Sequence, residues 1–151
     1  MPNRIALQFA SALQQIEAEL AALPETLADV PWRSGGWTRK QIVGHMVDSA
    51  ANNHQRFVRA AIDGSYAGPD YAQQEWVNAH GYEAQSWPTL LRWWQCQHQI
   101  LAAVVERIPD ERLNANCTVG SGTAVTLDFL ITDYLRHQRW HLDQLKAAPG
   151  A

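Results

Sequence analysis

Residues 38–62, TRKQIVGHMVDSAANNHQRFVRAAI, decide how the rest of the chain is read. Thr38 followed three positions later by Gln41 has the form of a capping box: the hydroxyl accepts from the N–H of residue 41, and the amide side chain returns to the N–H of residue 38. Behind this start, Val43, Val47, Ala50, Phe57, Val58 and Ala61 form an apolar stripe at helical spacing, and Asp63-Gly64 provides a stop. A helix over 39–62 is predicted. A second face carries His45, Asp48, Asn52, Arg56 and Arg59 in a polar row. Pattern alone allows that row to be a water-facing surface or the wall of a polar cleft.

The same rule finds three more long helices. Phe9, Leu13, Ile16, Leu20 and Leu23 predict a helix over 3–22, ended by Pro24. Pro88 suits a first helical turn, and Leu90, Trp94, Leu101, Val105 and Ile108 continue its stripe until Pro109. Thr126 caps a helix over 127–146, with Asp128 at the positive end of its dipole. Pro31 and Ser34-Gly35-Gly36 mark 27–36 as a loop, and 64–86 is a long excursion with one short helix around 71–80. In the connection 114–124, Thr118-Val119 and, beyond it, Val125 suit a small ribbon. The expected fold is all-α, a four-helix bundle whose long connections permit crossovers.

With 151 residues, 46% apolar and 18% charged, the chain 1–151 suits one domain that needs no disulfide or structural metal to hold its core. A net charge of -3 disfavours nucleic acid as a partner. No apolar run approaches the roughly 20 residues of a membrane span, and residues 1–10 carry no signal-peptide pattern, so a cytoplasmic protein is expected. Cys96 and Cys117 form no CxxC pair and are expected as free thiols, Cys96 buried and Cys117 in a loop. Trp93 and Trp94 diverge by about 100° on a helix, so one is expected at the surface or covered in a homodimer. Tyr71 and Trp76 are expected at the entrance of any site.

His137 and His141 stand one helical turn apart, beside the stripe of Leu127, Leu130, Ile131, Tyr134 and Leu145, and therefore point inward. Such a pair suits a shared metal ion, and equally suits two hydrogen-bonded core histidines. A third ligand would come from another helix. His54 lies in the apolar stripe of its helix and His98 beside that of the next, whereas His45 lies on the polar row and His80 on the excursion. Periodicity leaves the choice open.

Two longer runs carry a resemblance. Trp37-Thr38 with Gly44-His45-Met46-Val47-Asp48-Ser49-Ala50-Ala51-Asn52-Asn53-His54-Gln55-Arg56-Phe57 is similar to the WT…HLxDSxxNxxxRF pattern of the DinB/YfiT-like family of metal-dependent enzymes. Val125-Thr126-Leu127 with Tyr134 to His141 resembles that family's TL…Y..H..HH stretch, Trp140 departing where YfiT-like members can carry histidine, and Tyr71 to Trp76 resembles its intervening segment. The resemblance covers about residues 30–146. It implies a four-helix bundle with crossover connections and the metal ligands His45, His137 and His141, leaving His54 to packing.

Three histidines leave coordination positions open, which is the mark of a catalytic metal. Imidazole suits zinc, nickel, iron, cobalt or copper and does not choose among them; zinc is the first expectation and nickel the second. The first expectation is a hydrolase acting on a small-molecule substrate, with Asp48 as base or orienting carboxylate and Asn52 and Arg56 as neighbours in the site. The resemblance also implies a transferase using a low-molecular-weight thiol of the bacillithiol or mycothiol type, with Arg56, Arg59 or Arg139 contacting an anionic thiol or substrate. A metal-binding stress-response module without turnover is the third reading.

Overall fold

The capping box closes as its residues require. In a computed structural model that describes residues 1–149, Thr38 Oγ1 accepts from the Gln41 N–H at 3.2 Å and Gln41 Oε1 accepts from the Thr38 N–H at 2.9 Å. The helices are α1 (Ala6–Ala21), α2 (Arg39–Asp63), α3 (Gln73–His80), α4 (Trp87–Arg107) and α5 (Leu127–Leu145); the strands are β1 (Ser65–Gly68), β2 (Asn116–Val119) and β3 (Val125–Thr126). α2 ends where Gly64 turns left-handed at φ 79°, a conformation glycine adopts without steric cost. Ser86 and Thr126 cap α4 and α5 by accepting from Thr89 N and Phe129 N.

α1 begins three residues later than its periodicity suggests because Asn3 is used elsewhere. Its side-chain amide donates to the carbonyls of Val105 and Ile108 at 2.5 and 2.9 Å, satisfying the C-terminal end of α4.

α1 and α2 each pack against α4 and α5, so successive helices α1 and α2 lie across the bundle from one another. The connection 22–38 therefore crosses an end of the bundle, as the crossover expectation requires. One apolar cluster runs through all four long helices and includes Phe9, Met46, Phe57, Trp94, Leu101 and Ile131. Trp94 is buried in it, and neighbouring Trp93 is 42% exposed, following the divergence of adjacent helical side chains.

A small sheet, in the order β1-β2-β3, adds to the helical expectation. β2 and β3 form the foreseen antiparallel ribbon, while β1 pairs parallel with β2 from Ser65↔Asn116 to Gly68↔Val119. Both cysteine placements need correction. Cys117 is buried on β2, between Tyr66 and Val125, and Cys96 is exposed because it lies about 200° around α4 from both Trp94 and His98.

Arg39 holds the start of α2 to the end of α5. Its side chain, 1% exposed, donates to the carbonyls of Val30, Pro31, Leu145 and Ala147 at 2.6 to 3.2 Å.

Candidate metal centre

Most of the polar row of α2 does not face water; of its residues only Arg59, at the far end, is exposed. His45 is 1% exposed, packed against Trp37 and His141, and Asp48 and Arg56 are also buried, Asp48 beneath His80 of α3 and Tyr82 of the turn after it. Tyr82 packs where Gly44 has no side chain; a Cβ there would come within 2.1 Å of the tyrosine ring.

α2 supplies His45, and α5 supplies His137 and His141 one turn apart. One ligand nitrogen from each lies within 4.8 Å of the others. The His45 ring centroid is 4.6 Å from that of His141 and 6.4 Å from that of His137. His141 Nδ1 donates to Gln144 Oε1 at 2.8 Å, which leaves its Nε2 as a lone pair. That Nε2 and both ring nitrogens of His45 are buried without any hydrogen-bond partner. A buried polar atom left so costs roughly 1–3 kcal/mol, and a bound cation relieves that cost. The residues therefore fit a metal.

Electrostatics agree with the donor chemistry. Burial first, then the neighbouring histidines, pushes the His45 pKa down to about 3; burial lowers His141 to about 4 against the opposing bond to Gln144. Both rings are neutral at neutral pH, the form that ligates. Of the two histidines expected to point inward, only His141 is buried; His137 is exposed, because it lies at the edge of the α5 stripe, and stands at the mouth of the cluster.

Two recesses flank the three histidines. One of about 220 Å³ between α2 and α5 is lined by Ser49, Asn53, Arg56, Tyr71, Tyr134 and His137 among others. The second, about 330 Å³, is walled by Trp32, Trp37, Trp140 and His141, and Gln73 lines both. Tyr71 thus lines the recess beside His137. Trp76 lines neither recess and packs on Tyr71, the ring centroids 5.2 Å apart.

Asp48 faces α3. Tyr82 donates its hydroxyl to Asp48 Oδ1 at 2.5 Å, and His80 Nδ1 lies 3.3 Å from the same oxygen, while Oδ2 is buried without a partner. Burial raises the Asp48 pKa, opposed by the Tyr82 bond and by His80. Asn52 donates to the Asp48 carbonyl at 2.9 Å and lines neither recess. Arg56 lines the first recess, while Arg59 and Arg139 are exposed. His80, a candidate third ligand by sequence, contacts Asp48 and stays outside the three-histidine cluster. Tyr82 and Gln144 were not singled out from the sequence as contacts of this region; only Gln144, three residues beyond His141, had a spacing signal.

The other candidate ligands lie outside the cluster. His54 is half-buried on α2. His98, 2% exposed, donates from Nδ1 to the Trp94 carbonyl at 2.7 Å and receives the Tyr134 hydroxyl at Nε2. Trp94 in turn donates to Gln138, which donates to the Met46 carbonyl, so the chain of bonds ties α4, α5 and α2 together. Burial lowers the His98 pKa to about 4. The unfolded chain protonates this ring near pH 6.5, the folded chain only near pH 4, so its contribution to stability is complete above 6.5 and is lost as pH falls towards 4. The slope is about 1.4 kcal/mol per pH unit for this one group, with His45 and His141 acting in the same direction. Urea unfolding of the metal-free protein across that range is expected to show the fall, and His98→Gln to reduce its slope. Equal slopes in the two proteins would contradict the assignment.

A profile of the DinB superfamily matches residues 8–145. The chain belongs to the DinB superfamily. Its matched region runs from α1 through the last residue of α5. Curated relatives named "Putative metal-dependent hydrolase" include a protein of Bacillus pumilus (strain SAFR-032), 42% identical over 56 residues, covering 37% of this chain and 32% of the relative. A similarly named protein of Bacillus mycoides (strain KBAB4) is 37% identical over 55 residues, covering 36% and 32%. The chain thus aligns with about a third of the length of these relatives. Among solved structures, YfiT from Bacillus subtilis, described as a probable metal-dependent hydrolase with an unusual four-helix bundle topology, superposes with a TM-score of 0.84 at 20% identity, over 97% of this chain and 86% of YfiT. A mycothiol-dependent maleylpyruvate isomerase superposes with a TM-score of 0.78 at 16% identity, over 99% of this chain and 62% of the isomerase. These likenesses establish the bundle fold. No helix among the described residues is long and apolar enough to cross a membrane.

Proposed function

We propose that this DinB superfamily protein is a metal-dependent hydrolase of a small-molecule substrate, with His45, His137 and His141 as the metal ligands. The observation that carries the reading is the set of buried, unpartnered ring nitrogens of His45 and His141 converging with His137. A divalent transition metal, zinc first and nickel second, supplies a Lewis acid that lowers the pKa of water from about 15.7 towards 7. Gln144 holds the His141 tautomer that presents Nε2, and exposed His137 leaves one side of the cluster open to substrate. Arg56 binds substrate in the adjoining recess. Asp48, with one oxygen engaged by Tyr82 and His80, acts as a positioning residue that keeps the α3 segment over α2, and Asn52 braces the same turn. The reading takes residues 1–151 as one domain of a cytoplasmic homodimer; the single apolar cluster supports the first part and half-exposed Trp93 the last.

Thiol transfer is the second reading, favoured by the fold shared with the mycothiol-dependent isomerase across nearly this whole chain. One experiment separates the readings: zinc-loaded protein, purified without a nickel column, is assayed on chromogenic esters and amides, and in parallel for conjugate formation between mycothiol or bacillithiol and an electrophile. Metal-dependent hydrolysis that disappears in His137→Ala supports the hydrolase. Conjugation without hydrolysis replaces it by the transferase, and neither activity in metal-replete protein leaves a binding module.

A further inference from the structure

The first recess has a direction. Gln138 on α5 donates to the Met46 carbonyl on α2, so the His137 end of α5 lies beside the early turns of α2, and Leu130 lies towards Arg56. Ser49 and Arg56 on one wall, and His137 and Leu130 on the other, are each seven residues apart, about 10 Å along a helix at 1.5 Å per residue. The recess is therefore a slot with His137 at one end and Arg56 at the other.

Arg56 is a buried cation whose only paired anion is distant and solvated, among the described residues. It is 5% exposed, its Nε is buried without a partner, and its recorded bond is to the Pro69 carbonyl at 3.3 Å. Asp70, the carboxylate paired with it, stays 3.9 Å away and is largely in solvent. The contrast with Arg39 is internal to the molecule: that equally buried guanidinium has four carbonyl acceptors. Burying a charge is costly unless it is paired, so the incomplete set around Arg56 points to a ligand. Asp70 and Asp133 line the same slot and would repel a dianion such as phosphate more strongly than a single carboxylate.

We propose that this slot takes an extended carboxylic acid, its carboxylate on Arg56 and its reacting group beside His137. The placement of the reacting group rests on the metal site proposed above; the carboxylate subsite rests on Arg56 alone. A guanidinium receives a carboxylate through two parallel N–H···O bonds, which fixes the far end of the substrate and sets its length.

Isothermal titration of zinc-loaded protein with 6-sulfanylhexanoate and with 6-sulfanylhexan-1-ol tests both ends, because the thiol seeks the metal and only the acid can use Arg56. The acid is expected to bind at least tenfold more tightly than the alcohol, with the preference lost in Arg56→Gln and partly restored in Arg56→Lys. Sulfanylacetate, too short to span the slot, is expected to show no such advantage over 2-sulfanylethanol. Equal binding of the long acid and alcohol, or a preference that survives in folded Arg56→Gln, overturns the proposal. Inorganic phosphate competing as strongly as hexanoate overturns the choice of carboxylate. Metal content is measured first: if the chain takes up no metal, the hydrolase reading fails, and hexanoate against hexanamide on the metal-free protein still decides the subsite. Preference for hexanoate that depends on Arg56 supports it, and no preference overturns it.

Discussion

His45→Ala is expected to abolish stable metal binding while the bundle stays folded. In the proposed site His45 is the single ligand from α2, and without it the two histidines of α5 would offer a bidentate site open on one side. Loss of an outer partner of a metal ligand typically costs 10–100-fold in affinity, so Gln144→Ala, which removes only the partner of His141 Nδ1, is expected in that range and His45→Ala beyond it. Elemental analysis of protein purified without a nickel column, with chelator competition for affinity, reads both. Far-UV circular dichroism checks that the helices persist. A thermodynamic readout accompanies the analytical one: at free metal about 100 times Kd, the wild type gains about 2.7 kcal/mol against unfolding and His45→Ala gains nothing. Full metal retention by His45→Ala would remove His45 from the site.

Arg39→Met is expected to destabilise the protein by about 3 kcal/mol, more than most substitutions of a charged residue. The side chain is fully buried and acts as a cationic cap at the C-terminal end of α5, where the carbonyls of Leu145 and Ala147 lack helical partners. Methionine fills much of the volume but its side chain donates nothing, leaving the carbonyls of Pro31, Leu145 and Ala147 to find water or go unpaired while that of Val30 keeps the backbone N–H of residue 39. Arg39→Lys is expected to recover only part of the loss, since one ammonium cannot reproduce the planar fork that spans two strands of backbone. Urea midpoints of the three proteins give the ranking. A methionine variant within 0.5 kcal/mol of wild type, on the scale of an ordinary surface substitution, would show that the clamp carries no weight.

The helices were legible because each carries an apolar stripe with its own start and stop. The prediction of 39–62 meets α2 at Arg39–Asp63, and 127–146 meets α5 at Leu127–Leu145. β1 was not legible: four residues, Ser-Tyr-Ala-Gly, are too short to show alternation, and their partner β2 lies far along the chain. The inward pointing of His141 followed from its position beside a stripe. That of His45 did not, because a helical wheel assigns a polar face to water and has no knowledge of Trp37 and α5 packing over it. Only the resemblance placed His45 with His137 and His141. For His54 the wheel erred in the opposite direction, as Asn53 and Arg56 take the more buried positions on that part of α2.

The clamp at Arg39 also bears on the order of events in folding. It joins the start of α2 to the end of α5, and the parallel pairing of β1 with β2 closes part of the same long loop. Such distant closures come at an entropic cost that local helix formation does not face, so they belong to late stages of assembly. His45 and His141 meet only when those closures are made. A cation held by the proposed site would therefore find its three nitrogens in a finished bundle and act as a lock on the native state, slowing its opening, rather than as a nucleus around which the chain collapses.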